Sequence, residues 1–343
     1  MTGTASEVKG RGGQLEEVKA RAQQLVDALH AGLSRAAWRR ALSHLATACG
    51  EDAELLGEDL LQLYLAASSY RQEEKAYWPL EEAPSSGAPG FWLAQYRLER
   101  PAREAFRQGL ERYLEGEPLA YILGWSYFWD RSYRVGPGVL IPRPDTETLL
   151  RVLEEQLPDL QFRFRDSAAF NVLDACTGSG CLAISCQHIL AGADLPAVHI
   201  DATDCSPIAL TYARTNLGLE PGRGSLELWE ADLWPPIRRR YALGLSNPPY
   251  IAPGDPELDQ AVSGHEPSQA LYAEEAGLAF YRRLLEEGRN YWEPGALLIW
   301  EHGARQKEAL EALIGARQDY HLEASYQDFS GLDRAICLRY CGP

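Results

Sequence analysis

Apolar positions in the first seventy residues recur at helical spacing. Leu15, Val18, Ala22, Leu25, Val26, Leu29 and Leu33 follow the i, i+3, i+4 rule of an amphipathic helix. "DLLQLYLAASSY" (59–70) predicts a second, strongly apolar helix, and "WPLEEAPSSGAPG" (78–90) reads as a loop. Helical patterning resumes at "FWLAQYRLERPAREAFRQGLERYLEGEP" (91–118), interrupted or kinked near Pro101 and ending at Gly116. The aromatic runs flanking Asp130 and Arg131 in "YFWDRSYRV" predict a hairpin. A helix is then expected near Asp145, with Asp145 or Thr146 as its cap and acidic residues in its first turn.

From residue 171 the rhythm changes. "NVLDA", "AVHIDATD", "SLELWEAD", "YALGLS", "ALLIWEHG", "HLEASYQ" and "RAICLRY" read as strands. "GCLAISCQHIL", "PIALTYARTNL", "LAFYRRLLEEGRNYW" and a stretch near 304–315 read as helices between them. This alternation predicts an α/β doubly wound, Rossmann-like sheet of seven strands, preceded by a small all-helical N-terminal domain. The expected division is a flexible tail at 1–13, a helical domain at 14–117, a hairpin linker at 118–136 and the α/β domain at 137–343.

A chain of 343 residues accommodates two such domains. Hydrophobic content of 45% and charged content of 24% are globular values. No apolar run is long enough for a bilayer and no signal-peptide core begins the chain, so no membrane association is expected. Seven scattered cysteines, with no CxxC, imply reduced thiols and a cytoplasmic protein without a metal site. The net charge of −16 argues against stable nucleic-acid binding, and "RRR" at 238–240 is either a local basic patch or, as short charge runs usually are, a solvated loop.

Two stretches carry chemistry. "DACTGSGCLA" (174–183) lies between a strand and a helix. Gly178 and Gly180 permit a tight turn and close approach to a ligand, and the helix start offers free N–H groups. Asp204 ends the next strand, where a carboxylate accepts ribose hydroxyls. Asp232, after the third strand, either faces an adenine amino group or is an exposed loop carboxylate. Gly178-x-Gly180-x-x-Ala183 also fits a dinucleotide turn, so these residues leave the nucleoside cofactor open.

The second stretch is "SNPPY" (246–250), closing the strand "YALGLS". Ligands of such sheets bind beyond the carboxyl ends of the strands. A planar carboxamide or aromatic amine there is a poor nucleophile, because its nitrogen lone pair is delocalised. The Asn247 side-chain oxygen and the Pro248 carbonyl can accept its two N–H groups and orient the nitrogen. Pro248 and Pro249 hold the backbone still, and Tyr250 can stack on the planar group. Asn247 and Pro248 are thus the expected catalytic groups, and Asn247 to Tyr250 the expected substrate platform.

Taken with "PLAYILG" (118–124), "VLIPRPDTETLL" (139–150), "EHG" (301–303) and "YQDFSGLDRAICLRY", these motifs resemble the HemK/PrmC family of protein-glutamine N5-methyltransferases. The resemblance covers roughly residues 115 to 343. It implies a class I methyltransferase domain that binds S-adenosylmethionine through Cys176, Thr177, Gly178, Ser179, Gly180 and Asp204, with Leu233 against the adenine and Asn247 near the methyl group. It implies a substrate in the Gly-Gly-Gln loop of class I peptide-chain release factors; the helical domain, which reads as a unit for binding or for packing on the second domain, is expected to hold that protein. Ile141, Pro142 and Arg143 would help wall the pocket, Arg143 also being a candidate ion-pair partner for Glu147. Cys176 stands where glycine is commoner, Ala242 where an acidic residue is usual, and Leu233 at an often aromatic position; Gly244 is expected to weaken its strand. Alternative readings are methylation of another glutamine-containing protein, such as a ribosomal protein, or of DNA adenine, which shares Asn-Pro-Pro-Tyr. A degenerate, non-catalytic binding module is the third. "GGQ" at 12–14 is taken as a chance tripeptide.

Overall fold

The structure is a computed structural model. It describes Ala22, Leu42, Ser43, Leu45, Ala46, Leu56, Asp59, Leu60 and Leu63, residues 100–254 and residues 264–342. Two compact units divide the chain, Met1–Leu123 and Gly124–Pro343. In the first, α1 spans Arg100–Leu114 and α2 spans Leu119–Leu123. Pro101 falls in the first turn of α1, where a missing N–H costs little, and Gly116, at φ 91°, follows its end. Phe106 and Leu110 of α1 pack on Leu45, Leu56 and Leu60 in a buried cluster. The tail at 1–13, the loop at 78–90 and, apart from Ala22, the stripe from Leu15 to Leu33 lie outside the described residues.

The second unit opens with a hairpin, β1 (Trp125–Phe128) and β2 (Arg131–Arg134). Trp129 and Asp130 form its two-residue turn with φ of 47° and 57°, the left-handed pair that matches strand twist. A 3₁₀ turn at Pro144–Thr146 leads into α3 (Glu147–Phe164). Thr146 stands at the N-cap position of α3 and Glu147 lies in the first turn, as expected, but the Thr146 side chain makes no capping bond. Its hydroxyl is taken by a partner far along the chain, described below.

Then come β3 (Ala169–Ala175), α4 (Cys181–Leu190), β4 (Ala197–Asp204), α5 (Pro207–Leu219), β5 (Ser225–Glu230) and β6 (Tyr241–Ser246). The chain continues through α6 (Ala279–Gly288), β7 (Trp292–Glu301), α7 (Lys307–Gly315), β8 (Tyr320–Gln327) and β9 (Asp333–Tyr340). The seven-stranded sheet has the order β5-β4-β3-β6-β7-β9-β8. β9 runs antiparallel to both neighbours, β7 and β8. The other pairs are parallel. The expected seven-stranded α/β fold is therefore present in this unit.

Helices cover both faces, which explains why the central strands read as continuous apolar runs. Along β7, Leu297 and Ile299 join one buried cluster with α3 and α4, while Leu298 and Trp300 join another with α6 and α7. The helix expected to run to Trp292 stops at Gly288. A Cβ there would come within 2.3 Å of the Trp292 indole nitrogen, because Trp292 has already turned into the sheet. Among the described residues, no helix is long and apolar enough to cross a membrane.

The order places β3 and β6 side by side, with the chain running outward to β4 and β5 before returning to β6. Connections leave β3 and β6 in opposite directions, so a crevice opens beyond their carboxyl ends.

Candidate active site

A cleft lies at that crevice, lined by both chemistry-bearing stretches. Of the sequence-derived candidates, Cys176, Thr177, Gly178, Ser179, Asp204, Asp232, Leu233, Asn247, Pro249, Pro142 and Arg143 line it together. Gly180, Pro248, Tyr250 and Ile141 adjoin these residues in sequence without being among the lining side chains.

The glycine turn follows β3 directly. Cys176, Gly178 and Gly180 all take left-handed backbone, at φ 63°, 58° and 80°. Glycine adopts this freely, whereas Cys176 pays in strain of the kind found at ligand sites. The turn is stapled from several directions. Gly178 N–H donates to Asp204 Oδ2 at 2.9 Å, and Ser206 N–H donates to Oδ1 at 2.8 Å. Each oxygen keeps a further lone pair for a hydroxyl. Beneath the turn, the Thr177 hydroxyl donates to the buried Asp174 at 2.6 Å, and burial pushes the Asp174 carboxyl up to about 7. Burial also drives the Cys176 thiol well above its ordinary value, so it is no nucleophile.

Asn216 of α5 ties the hairpin to this turn. Its Nδ2 donates to Ser179 O at 2.8 Å and Arg134 O at 3.1 Å, while its Oδ1 accepts from Arg134 N–H at 2.6 Å. Nothing in the sequence pattern singled out this residue.

Apolar walls rise on the far side. Leu233 is buried with φ 68°, and its carbonyl accepts the Thr203 hydroxyl at 2.8 Å. Phe280 at the start of α6 adds an aromatic ring to the lining. It lies 47 residues beyond Leu233 in a helical apolar pattern, so the sequence offered no signal for it. Asp232 extends outward and pairs with Arg283 at 3.0 Å. Arg143 pairs with Glu266, not with Glu147. Glu147 is instead engaged by the Trp129 backbone N–H, and Glu266 also accepts the Ile141 N–H at 3.2 Å. The Ile141–Arg143 segment is thus tied to the 264–270 loop, whose Pro267, Gln269 and Ala270 also line the cleft.

The Asn-Pro-Pro-Tyr turn is held at Ser246, Asn247 and Tyr250. Ser246 Oγ donates to Ala175 O at 2.8 Å, tying the ends of β6 and β3 together. Asn247 Nδ2 donates to Thr146 Oγ1 at 3.0 Å, which turns Oδ1 the other way. The Tyr250 hydroxyl donates to Glu301 Oε1 at 3.0 Å, and Gln306 Nε2 donates to Tyr250 O at 2.8 Å. Thr146, Glu301 and Gln306 come from three other segments. Thr146, within "VLIPRPDTETLL", is expected from the sequence only as a helix cap, Glu301 only as part of "EHG", and Gln306 carries no sequence signal. Such a turn can present two fixed acceptors to an incoming NH₂ group, and it holds no strong base.

No protein-family model matches the chain. Among known proteins it is similar to the release factor glutamine methyltransferase of Bordetella pertussis, with 39% identity over 252 residues covering 71% of this chain and 86% of that protein. It is also similar to the release factor glutamine methyltransferase of Thermodesulfovibrio yellowstonii, with 34% identity over 233 residues covering 67% and 79%. Among solved structures, a methyltransferase from Pyrococcus furiosus aligns with 69% of this chain and 99% of its own, at a TM-score of 0.41 and 15% identity.

Proposed function

Since the chain belongs to the release factor glutamine methyltransferases, we infer that it transfers a methyl group from S-adenosylmethionine to a glutamine side-chain nitrogen in the Gly-Gly-Gln motif of class I peptide-chain release factors. The residues of the cleft fit that cofactor. Asp204 retains lone pairs for ribose hydroxyls, and Cys176 to Ser179 of the glycine turn line the cleft, where the missing Cβ of Gly178 lets a ligand approach closely. Leu233 and Phe280 offer the flat apolar contact that an adenine takes, the phenyl ring supplying the aromatic character Leu233 lacks. When bound, the cofactor supplies an electrophilic methyl group on a sulfonium.

The chain's own part is positioning. Asn247 Oδ1 and the Pro248 carbonyl accept the two N–H groups of the glutamine amide, holding the nitrogen toward the methyl-bearing end of the cleft. As the nitrogen pyramidalises, its N–H dipoles strengthen, so acceptors already in place favour the transition state over the ground state. An N-methylated amide carrying an extra proton is strongly acidic, so water can remove that proton without a general base. The observation that carries this reading is the Asn247 carboxamide at the cleft, its donor end occupied by Thr146.

Asn247→Ala should lower kcat about 10²- to 10³-fold, the cost of removing one preorganised partner. Cofactor affinity by calorimetry should change no more than a few-fold. Mass spectrometry of the release factor reads the one-methyl gain, and wild-type rates in this variant would remove Asn247 from the mechanism. Family membership ranks this substrate above the DNA adenine alternative.

A further inference from the structure

The role assigned to Asn247 depends on which end of its carboxamide faces the substrate. We propose that Thr146 and Glu301 are positioning residues that make this choice, through a one-way chain of hydrogen bonds from Asn247 to Thr146 to Glu301. The inference rests on the reading of Asn247 as an acceptor. Rotated by half a turn, Asn247 would aim its own N–H groups at those of the glutamine amide, donor against donor.

A hydroxyl can donate or accept. Thr146 therefore orients Asn247 only if its single proton is committed elsewhere. Thr146 is buried, and its oxygen receives Asn247 Nδ2 at 3.0 Å. At the end of β7, the fully buried Glu301 has Thr146 among the side chains acting on its carboxyl. Glu301 Oε1 accepts the Tyr250 hydroxyl at 3.0 Å, while Oε2 is buried without a partner at hydrogen-bonding geometry. A buried acceptor in that condition is costly, and the Thr146 hydroxyl is the neighbouring donor that favours the ionised carboxylate. An ionised carboxylate only accepts. It draws the Thr146 proton, leaves the Thr146 oxygen to accept, and so fixes Nδ2 inward and Oδ1 outward. Glu301 thereby anchors both ends of the Pro-Pro turn, Tyr250 directly and Asn247 through Thr146.

Several groups face this carboxylate. From the turn before α3 come Thr146 and Asp145, and from the loop after β6 comes Tyr250. Arg334 of β9, paired with Asp145 at 3.2 Å and Asp328 at 3.1 Å, favours ionisation. Tyr281 of α6 bonds the Glu301 backbone carbonyl at 2.6 Å, and His302 adjoins it in sequence. Burial outweighs these partners and pushes the carboxyl up to about 7. Once protonated, Glu301 becomes a donor, the Thr146 proton is released toward Asn247, and the amide is free to turn.

The experiment compares Thr146→Val, Thr146→Ser and Glu301→Gln in the full chain, with kcat and KM measured on a release factor across pH and cofactor Kd by calorimetry. In Thr146→Val, kcat should fall about tenfold to a hundredfold, with cofactor Kd and release-factor KM within about threefold. Thr146→Ser, which keeps the hydroxyl, should restore kcat to within about threefold of wild type. Wild type should lose kcat as pH falls through about 7, and Glu301→Gln should be slow at every pH with that limb gone. Wild-type kcat in Thr146→Val, or a Thr146→Ser variant as slow as Thr146→Val, overturns the chain. An acid limb that persists in Glu301→Gln overturns the part given to Glu301. Unchanged cofactor Kd certifies a folded site, and should Glu301→Gln not fold, the two Thr146 variants decide. A wild-type enzyme that adds no methyl to the Gly-Gly-Gln glutamine sinks the underlying reading instead, so the two failures are distinguishable.

Discussion

Gly244 illustrates how one residue's meaning depends on its neighbours. In the sequence it is a flaw in the strand "YALGLS", because glycine packs nothing and costs entropy. In the fold, the Trp292 ring and a Leu298 methyl occupy the space, and a Cβ at 244 would lie 2.7 Å and 2.9 Å from them. Gly244→Ala should therefore destabilise the protein by about 1–3 kcal/mol through overpacking, measurable by urea unfolding. An unchanged midpoint would mean that the indole yields freely. Cys176 is the converse. Its left-handed backbone suits glycine, the residue the family resemblance leads one to expect there.

Between neighbouring segments, the Asn-Pro-Pro-Tyr turn is supported from the loop before α7. Gln306 Nε2 donates to Tyr250 O at 2.8 Å and Ala276 O at 3.2 Å, and its Oε1 accepts the Gly303 N–H at 2.9 Å. One side chain thus clamps three loops. Pressed against the same carbonyl is a run of left-handed backbone, Glu275, Ala276 and Gly277, at φ 55°, 55° and 83°. A Cβ on Gly277 would lie 2.0 Å from Tyr250 O, so the approach is as close as backbone allows. Gln306→Ala should cost about 1–3 kcal/mol, since it strips partners from part-buried groups. It should also slow methyl transfer more than it weakens cofactor binding, because Gln306 holds Tyr250 and does not line the cleft. A variant with wild-type kcat would show that the prolines suffice to hold the turn.

For the molecule as a whole, the buried carboxylates Asp174 and Glu301 shape the response to pH. Burial raises Asp174 from 3.8 and Glu301 from 4.5, each to about 7. The folded state therefore holds protons that the unfolded chain releases at lower pH. Their stabilising share is complete below the ordinary carboxylate values and is lost as pH rises through about 7. The loss in unfolding free energy between pH 5 and pH 8 should accordingly be smaller in Glu301→Gln than in wild type. Equal losses in the two proteins would show that the side chain does not titrate in this window.

Much of the fold was legible along the chain. Short apolar runs alternating with helical segments located all seven strands of the large sheet, because central parallel strands buried on both faces must be apolar throughout. The glycine turn and "SNPPY" were legible too, since left-handed backbone and rigid prolines leave few choices of residue. What could not be read were the residues that support them. Thr146, Glu301, Gln306, Phe280 and Asn216 each act through a hydroxyl, carboxylate, amide or ring whose local pattern suits a cap, a strand end or a helix face equally well. Thr146 read as a helix cap because sequence registers only neighbours within a turn or two. Its partner is Asn247, 101 residues away. Local patterning reports the conformational preferences of short segments, whereas hydrogen-bond partners are set by where strands and loops meet in space.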